Sequence, residues 1–133
     1  MFKFHLISDT FFSSGILEAK QRITNNQLHK IIESENYGDD LNGIVICLMC
    51  CDSDIIFKRR LRFSKKEKVL YMDIILNHDQ FSVMSHEQRI SEICKILLEK
   101  IPLIFKKYKF NNFNSSKLMK NLEDWFLNNN FIK

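Results

Sequence analysis

Ile44-Val45-Ile46-Cys47-Leu48-Met49-Cys50-Cys51 is an unbroken apolar run of strand length. Such a run suits a central strand with both faces covered, because an edge or half-solvated strand alternates polar with apolar residues. Two further strands follow. Ile55 to Phe63 places Phe57, Leu61 and Phe63 on one face. Val69 to Asn77 places Leu70, Met72, Ile74 and Leu76 on one face, with Val69, Tyr71 and Ile75 on the other. The polar turn Ser64-Lys65-Lys66-Glu67-Lys68 between them predicts a β-hairpin, whose outer lysines and arginines would protect an edge from unwanted pairing.

On the N-terminal side, Phe2 to Ile7 alternates apolar and polar residues and reads as a short strand. Ser13 and Ser14 are candidate caps of a helix carrying Ile16, Ala19 and Ile23, extending to Ile31 and Ile32. Asn25 and Asn26 weaken its middle, which leaves one helix or two shorter ones. Glu33 to Asn42 is an acidic loop punctuated by Gly38.

On the C-terminal side, Ser85-His86-Glu87-Gln88 has the form of a capping box. Behind it Ile90, Ile93, Cys94, Leu97 and Ile101 recur at helical spacing. Pro102 removes a donor and crowds the preceding turn, so this helix should end or kink near Lys100. A last helix, starting at Asn114 or Ser115, gathers Leu118, Leu122, Trp125 and Phe126 on one face. The order is β-α-β-β-β-α-α, and the expectation is an α+β fold with a small antiparallel sheet packed with helices.

The chain has 133 residues, the size of one domain spanning 1–133, and a hydrophobic share of 45% with twelve Phe supplies a core without disulfides or metals. Three Gly and one Pro argue against a disordered or repetitive chain. No basic leader with an apolar stretch opens the sequence, and no apolar run nears the roughly 20 residues that span a bilayer. Four Cys without an export signal read as reduced thiols, so a cytoplasmic location is expected.

Candidate chemistry is sparse. Cys47-Leu48-Met49-Cys50 has Cys-x-x-Cys spacing, but a redox pair needs a thiol at a helix N-terminus and a zinc site needs a second ligand pair. Inside a strand the two thiols point to opposite faces, as buried structural cysteines would. His86-Glu87 lacks the second His of a zinc-protease helix. Asn77-His78-Asp79 has the residue types of an acid–base cluster, yet its place after a strand fits a turn better. Ser13-Ser14-Gly15 lacks the strand–turn–helix context of a nucleophile elbow, and three scattered glycines build no phosphate loop. No catalytic, cofactor-binding or metal residue is therefore assigned, and a binding protein is expected rather than an enzyme.

Charge is mild in sum, at +4, and uneven in distribution. Lys58-Arg59-Arg60-Leu61-Arg62 between Phe57 and Phe63 is either a solvated hairpin face or a nucleic-acid stripe. Glu33, Glu35, Asp39, Asp40, Asp52 and Asp54 form the acidic counterpart. They read as solvated loops or as a docking surface for a basic partner, with Tyr37 as its aromatic anchor.

Three segments together carry a family resemblance: Tyr37-Gly38-Asp39-Asp40 before the apolar strand, Tyr71 through Phe81, and the Gln88-Arg89 helix followed by Lys109-Phe110-Asn111-Asn112-Phe113 and the helix Leu118 to Phe126. The chain resembles the Immunity protein 44 family, among the immunity proteins encoded beside bacterial polymorphic or contact-dependent inhibition toxins. The resemblance implies a cytoplasmic α+β protein without catalysis of its own. Its partner would be a cognate toxin C-terminal domain, often a nuclease or tRNA-cleaving enzyme, whose active site it occludes. The acidic loops are then the candidate contacts, with the basic hairpin as the other possible surface. The alternatives are a small nucleic-acid-binding regulatory module using that hairpin, and a small enzyme or thiol-dependent protein, which reactivity of Cys47 or Cys50 at neutral pH would support.

Overall fold

The computed structural model describes residues 2–8, 16–24, 26–51 and 61–133, and among these residues the fold has nine elements. They are β1 (Lys3–Ser8), α1 (Ile16–Ile23), α2 (Asn26–Glu33), β2 (Gly43–Cys51), β3 (Leu61–Ser64), β4 (Val69–Asn77), α3 (His78–Ser82), α4 (His86–Lys107) and α5 (Ser115–Asn128). The α+β class expected from the pattern of elements holds. The expected single helix or pair before β2 is a pair, and the short helix α3 is an addition to the expected order. The serines expected to cap the first helix lie outside the described residues.

The sheet order is β1-β2-β4-β3, so β2 is central as its apolar run requires. The sheet is mixed, however, and this corrects the expectation of an antiparallel one. β1 and β4 both run parallel to β2, with Leu6 beside Ile46 and Ile46 beside Met72. Only β3 is antiparallel, pairing Leu61 with Met72 and Ser64 with Val69. The reason is topological. The chain between β1 and β2 carries α1 and α2, a crossover long enough to return the chain for parallel pairing. The hairpin then places β3 on the outer edge, and β4 takes the position beside β2.

The helices pack on one face. Phe4, Leu6, Ile44, Ile46, Leu48, Leu70 and Leu76 are buried in the same cluster as the apolar stripes of α1, α2, α4 and α5. Residues between them in sequence, such as His5, Val45, Cys47, Tyr71 and Asp73, are exposed or only partly covered. β2 is thus central between strands, but one of its faces is less covered than its uniform apolarity suggested.

Caps fix the helix ends. Ser85 Oγ accepts the Gln88 N–H at 3.2 Å while Gln88 Oε1 accepts the Ser85 N–H at 2.8 Å, the reciprocal capping box expected from sequence. Asn77 Oδ1 accepts the Gln80 N–H at 3.0 Å, so Asn77-His78-Asp79 is a strand-to-helix turn in which Asn77 caps α3. Arg89 donates to the Phe81 and Ser82 carbonyls at 2.8 and 3.1 Å, joining α3 to α4.

Pro102 does not end α4, which continues to Lys107. A mid-helix proline costs about 3 kcal/mol. Ile101 and Ile104 on either side of it are buried, and each such side chain contributes roughly 1.5–3 kcal/mol by leaving water. Burial of this last stretch therefore offsets the proline. Against α4 lies α5, capped by Asn114, whose Oδ1 accepts the Lys117 N–H at 3.0 Å. Trp125 on α5 donates its indole N–H to the Ile23 carbonyl at 3.2 Å, closing off the end of α1 inside the core.

Candidate functional site

The acidic segment after α2 is held down by its neighbours. Its one aromatic residue, Tyr37, is 3% exposed, and its ring lies 5.1 Å from Phe2 and 6.0 Å from Phe113. The phenol oxygen accepts the Asn121 side-chain N–H at 2.9 Å, and burial raises its pKa above the ordinary 10.0. The expectation of Tyr37 as a projecting anchor is corrected: this aromatic belongs to the core, because α5 and the segment before it close over the loop.

That segment, residues 109–114, acts as a clasp. The Asp40 N–H donates to the Asn112 carbonyl at 3.1 Å, and the Asn112 N–H donates back to Asp40 Oδ2 at 2.7 Å. The Asn114 N–H reaches the Tyr37 carbonyl at 2.6 Å. Gly38 sits between these links with φ +122°, a backbone shape that side chains oppose. Its own N–H donates to Asn36 Oδ1 at 3.0 Å. Asn112 Nδ2 completes the clasp by donating to Asp39 Oδ2 at 3.4 Å.

Lysines flank the loop. Lys117 Nζ stands 2.8 Å from Glu35 Oε2, 3.4 Å from the Asn36 carbonyl and 5.8 Å from the centre of the Tyr37 ring. Both partners of the ion pair are well exposed, so it positions Glu35 more than it stabilises the fold. Lys68 Nζ donates to the Asp39 carbonyl at 3.3 Å from the hairpin turn. Asn42 ends the loop by bridging two strands: its N–H donates to the Lys68 carbonyl at 2.7 Å, and its carbonyl accepts the Lys3 N–H at 2.9 Å.

The fold therefore brings Glu33, Glu35, Asp39 and Asp40 together around a shallow depression of about 400 Å³, with Glu33, Glu35 and Asp39 on its lining. Asp40 serves the clasp through its carboxylate. Asp52 and Asp54 lie outside the described residues, as do Lys58, Arg59 and Arg60 of the basic stripe. The clasp itself escaped sequence reading. Its trace was the run Lys109-Phe110-Asn111-Asn112-Phe113-Asn114, in which two aromatics are spaced three apart among polar residues, too short a pattern for a helix or a strand.

The thiols follow the strand geometry. Cys50 is buried on the helix-covered face and Cys47 is partly exposed on the other, as alternation requires. Cys50 Sγ lies 3.9 Å from His78 Nδ1. Cys94 is buried in α4, and desolvation pushes its pKa up to about 12, which keeps it protonated near neutrality. Among the described residues no group of three His, Cys, Asp or Glu is placed to hold a metal ion. No helix among them is long and apolar enough to cross a membrane.

The other sheet face has its own arrangement near the hairpin. Arg62 lies over the Tyr71 ring, 4.5 Å from its centre, and the Tyr71 hydroxyl donates to Glu67 Oε2 at 2.5 Å. A trough of about 430 Å³ beside them is lined by Lys3, His5, Asn42, Val45, Glu67 and Tyr71, among others. Comparison with known proteins adds one positive finding: the family described as Immunity protein 44 matches the chain over residues 3–128. No curated protein and no solved structure matches it.

Proposed function

Because the chain belongs to the Immunity protein 44 family, we propose that it neutralises a cognate bacterial toxin by binding the toxin's C-terminal domain and occluding its active site. The single observation carrying this reading is the family match, which extends over nearly the whole chain. Inhibition is by occupancy and requires no catalysis from the immunity protein. The toxin is of the polymorphic or contact-dependent inhibition type and acts as a nuclease or tRNA-cleaving enzyme, so neutralisation takes place in the cytoplasm, where such substrates are found.

The contact residues on this reading are Glu33, Glu35 and Asp39, with Asp52 and Asp54 as a second acidic group. A nuclease that grips a polyanion presents a basic cleft, and complementary charge both speeds the encounter and sets its register. Tyr37 and Asp40 support the contact by holding the loop in shape, through the Asn121 and Asn112 hydrogen bonds.

A pull-down with the C-terminal domain encoded by the upstream neighbouring gene, followed by growth rescue, tests the proposal. Stoichiometric binding and rescue of cells expressing that domain are expected. Failure of both would sink the immunity reading for this pair, and the basic hairpin would then be assayed for salt-dependent RNA and DNA binding.

A further inference from the structure

The acidic loop is too small to be the whole contact. A specific interface covers about 800 Å² per partner and roughly 20–30 residues. Glu33 to Asn42 is ten residues, and Tyr37 and Leu41 among them are buried. The loop also lacks the aromatic or arginine anchor from which interfaces draw most of their energy.

The missing part adjoins it. Asn42 lines both the acidic depression and the trough on the outer sheet face, so the two form one continuous surface. That outer face is partly apolar, with Val45, Val69 and Ile75 partly exposed and Ile7 46% exposed. Sheets with parallel strands are ordinarily covered on both faces; among the described residues, the helix stripes join the core on one face. On β4 and the adjoining edge strand β3 stand Tyr71 and Arg62, residue types that often anchor interfaces, already stacked at 4.5 Å. The Glu67 carboxylate holds the Tyr71 hydroxyl, so little side-chain freedom remains to be lost on binding.

Charge selects the occupant. Among the described residues that line this face, Lys3 and Arg62 are matched by Glu67 and Asp73, a mixed rim of the kind that suits a protein surface. We infer that the outer sheet face around Tyr71 and Arg62 is the aromatic half of the toxin-contact surface, joined to the acidic loop through Asn42. This inference rests on the immunity reading and names the anchors that reading lacks.

The test titrates the unaltered chain, Tyr71→Ala and Arg62→Glu against an inactivated form of the toxin domain encoded beside this chain. Calorimetry reads affinity, and thermal melts followed by circular dichroism read folding. Each substitution is expected to weaken binding at least 100-fold with little change in melting temperature. Arg62 is exposed, so its variant decides the matter even if Tyr71→Ala unfolds. Unaltered affinity in a folded Arg62→Glu variant overturns this inference while leaving the immunity reading intact. No binding by the unaltered chain overturns both. Sedimentation of the free protein adds a further arm: a dimer that Arg62→Glu dissociates would assign the face to a second copy of this chain and overturn the inference.

Discussion

A side-chain carbon placed on Gly38 would lie 2.2 Å from the carbonyl oxygen of Asn112. Two loops distant in sequence thus meet backbone to backbone, at a position where φ is also +122°. Gly38→Ala must both strain its own backbone and push the clasp away. The expected loss is on the order of 2 kcal/mol or more, read as a lower urea midpoint with an unchanged m-value. A stability equal to that of the unaltered protein would show that the clasp yields without cost.

Tyr37 has two separable contributions. Tyr37→Phe keeps the ring between Phe2 and Phe113 but leaves the Asn121 amide without its acceptor, at a cost of about 1 kcal/mol. Tyr37→Ala empties the site and should cost about 3–5 kcal/mol. Chemical denaturation of the two variants checks the ordering. Equal stability of the alanine variant and the unaltered chain would return Tyr37 to the surface.

Trp125 on α5 secures α1 through its bond to the Ile23 carbonyl. Trp125→Phe is expected to lose about 1–3 kcal/mol, since the buried carbonyl is left unsatisfied. Hydrogen exchange should quicken in α1 and α5 ahead of α4. Uniform acceleration across all helices would instead mean that Trp125 acts only through its bulk.

Ser85→Ala removes one half of the capping box on α4. The expected destabilisation is about 1 kcal/mol, with faster amide exchange confined to the first turn. A variant as stable as the parent would mean that contacts of α4 with the core already hold that turn in place.

Alkaline pH should weaken the fold. Burial raises the Cys94 pKa from 9.0 to about 12, and the Tyr37 pKa moves up from 10.0 by the same cause. Above pH 9 the unfolded thiol has released its proton while the folded one retains it. Unfolding then releases protons, so stability falls as pH rises from 9 towards 12, by at most about 1.4 kcal/mol per pH unit from Cys94, and Tyr37 acts in the same direction above pH 10. Urea midpoints between pH 8 and 11 measure this slope. Cys94 should also resist a thiol reagent at pH 8 until the protein unfolds.

The sequence by itself determined the elements whose signals are local. Val69 to Asn77 is an apolar, β-branched and aromatic run of strand length, Ser85 and Gln88 cap each other within one turn, and Leu118, Leu122, Trp125 and Phe126 share a helix face at their own spacing. These patterns depend on a few bonds along the chain, and the structure keeps them. The family resemblance was likewise legible, since it rests on the order of such patterns.

Tertiary structure alone decided strand direction, the course of α4 past Pro102 and the fate of Tyr37. An apolar run looks the same in a parallel and an antiparallel sheet; only the α1–α2 crossover makes β1 and β2 parallel. The proline's local penalty was visible, but the burial of Ile101 and Ile104 that offsets it was not. An aromatic in an acidic loop looked exposed because its cover, Phe113 and Asn121, lies more than seventy residues away. Burial depends on which distant segments arrive, and no local pattern carries that information.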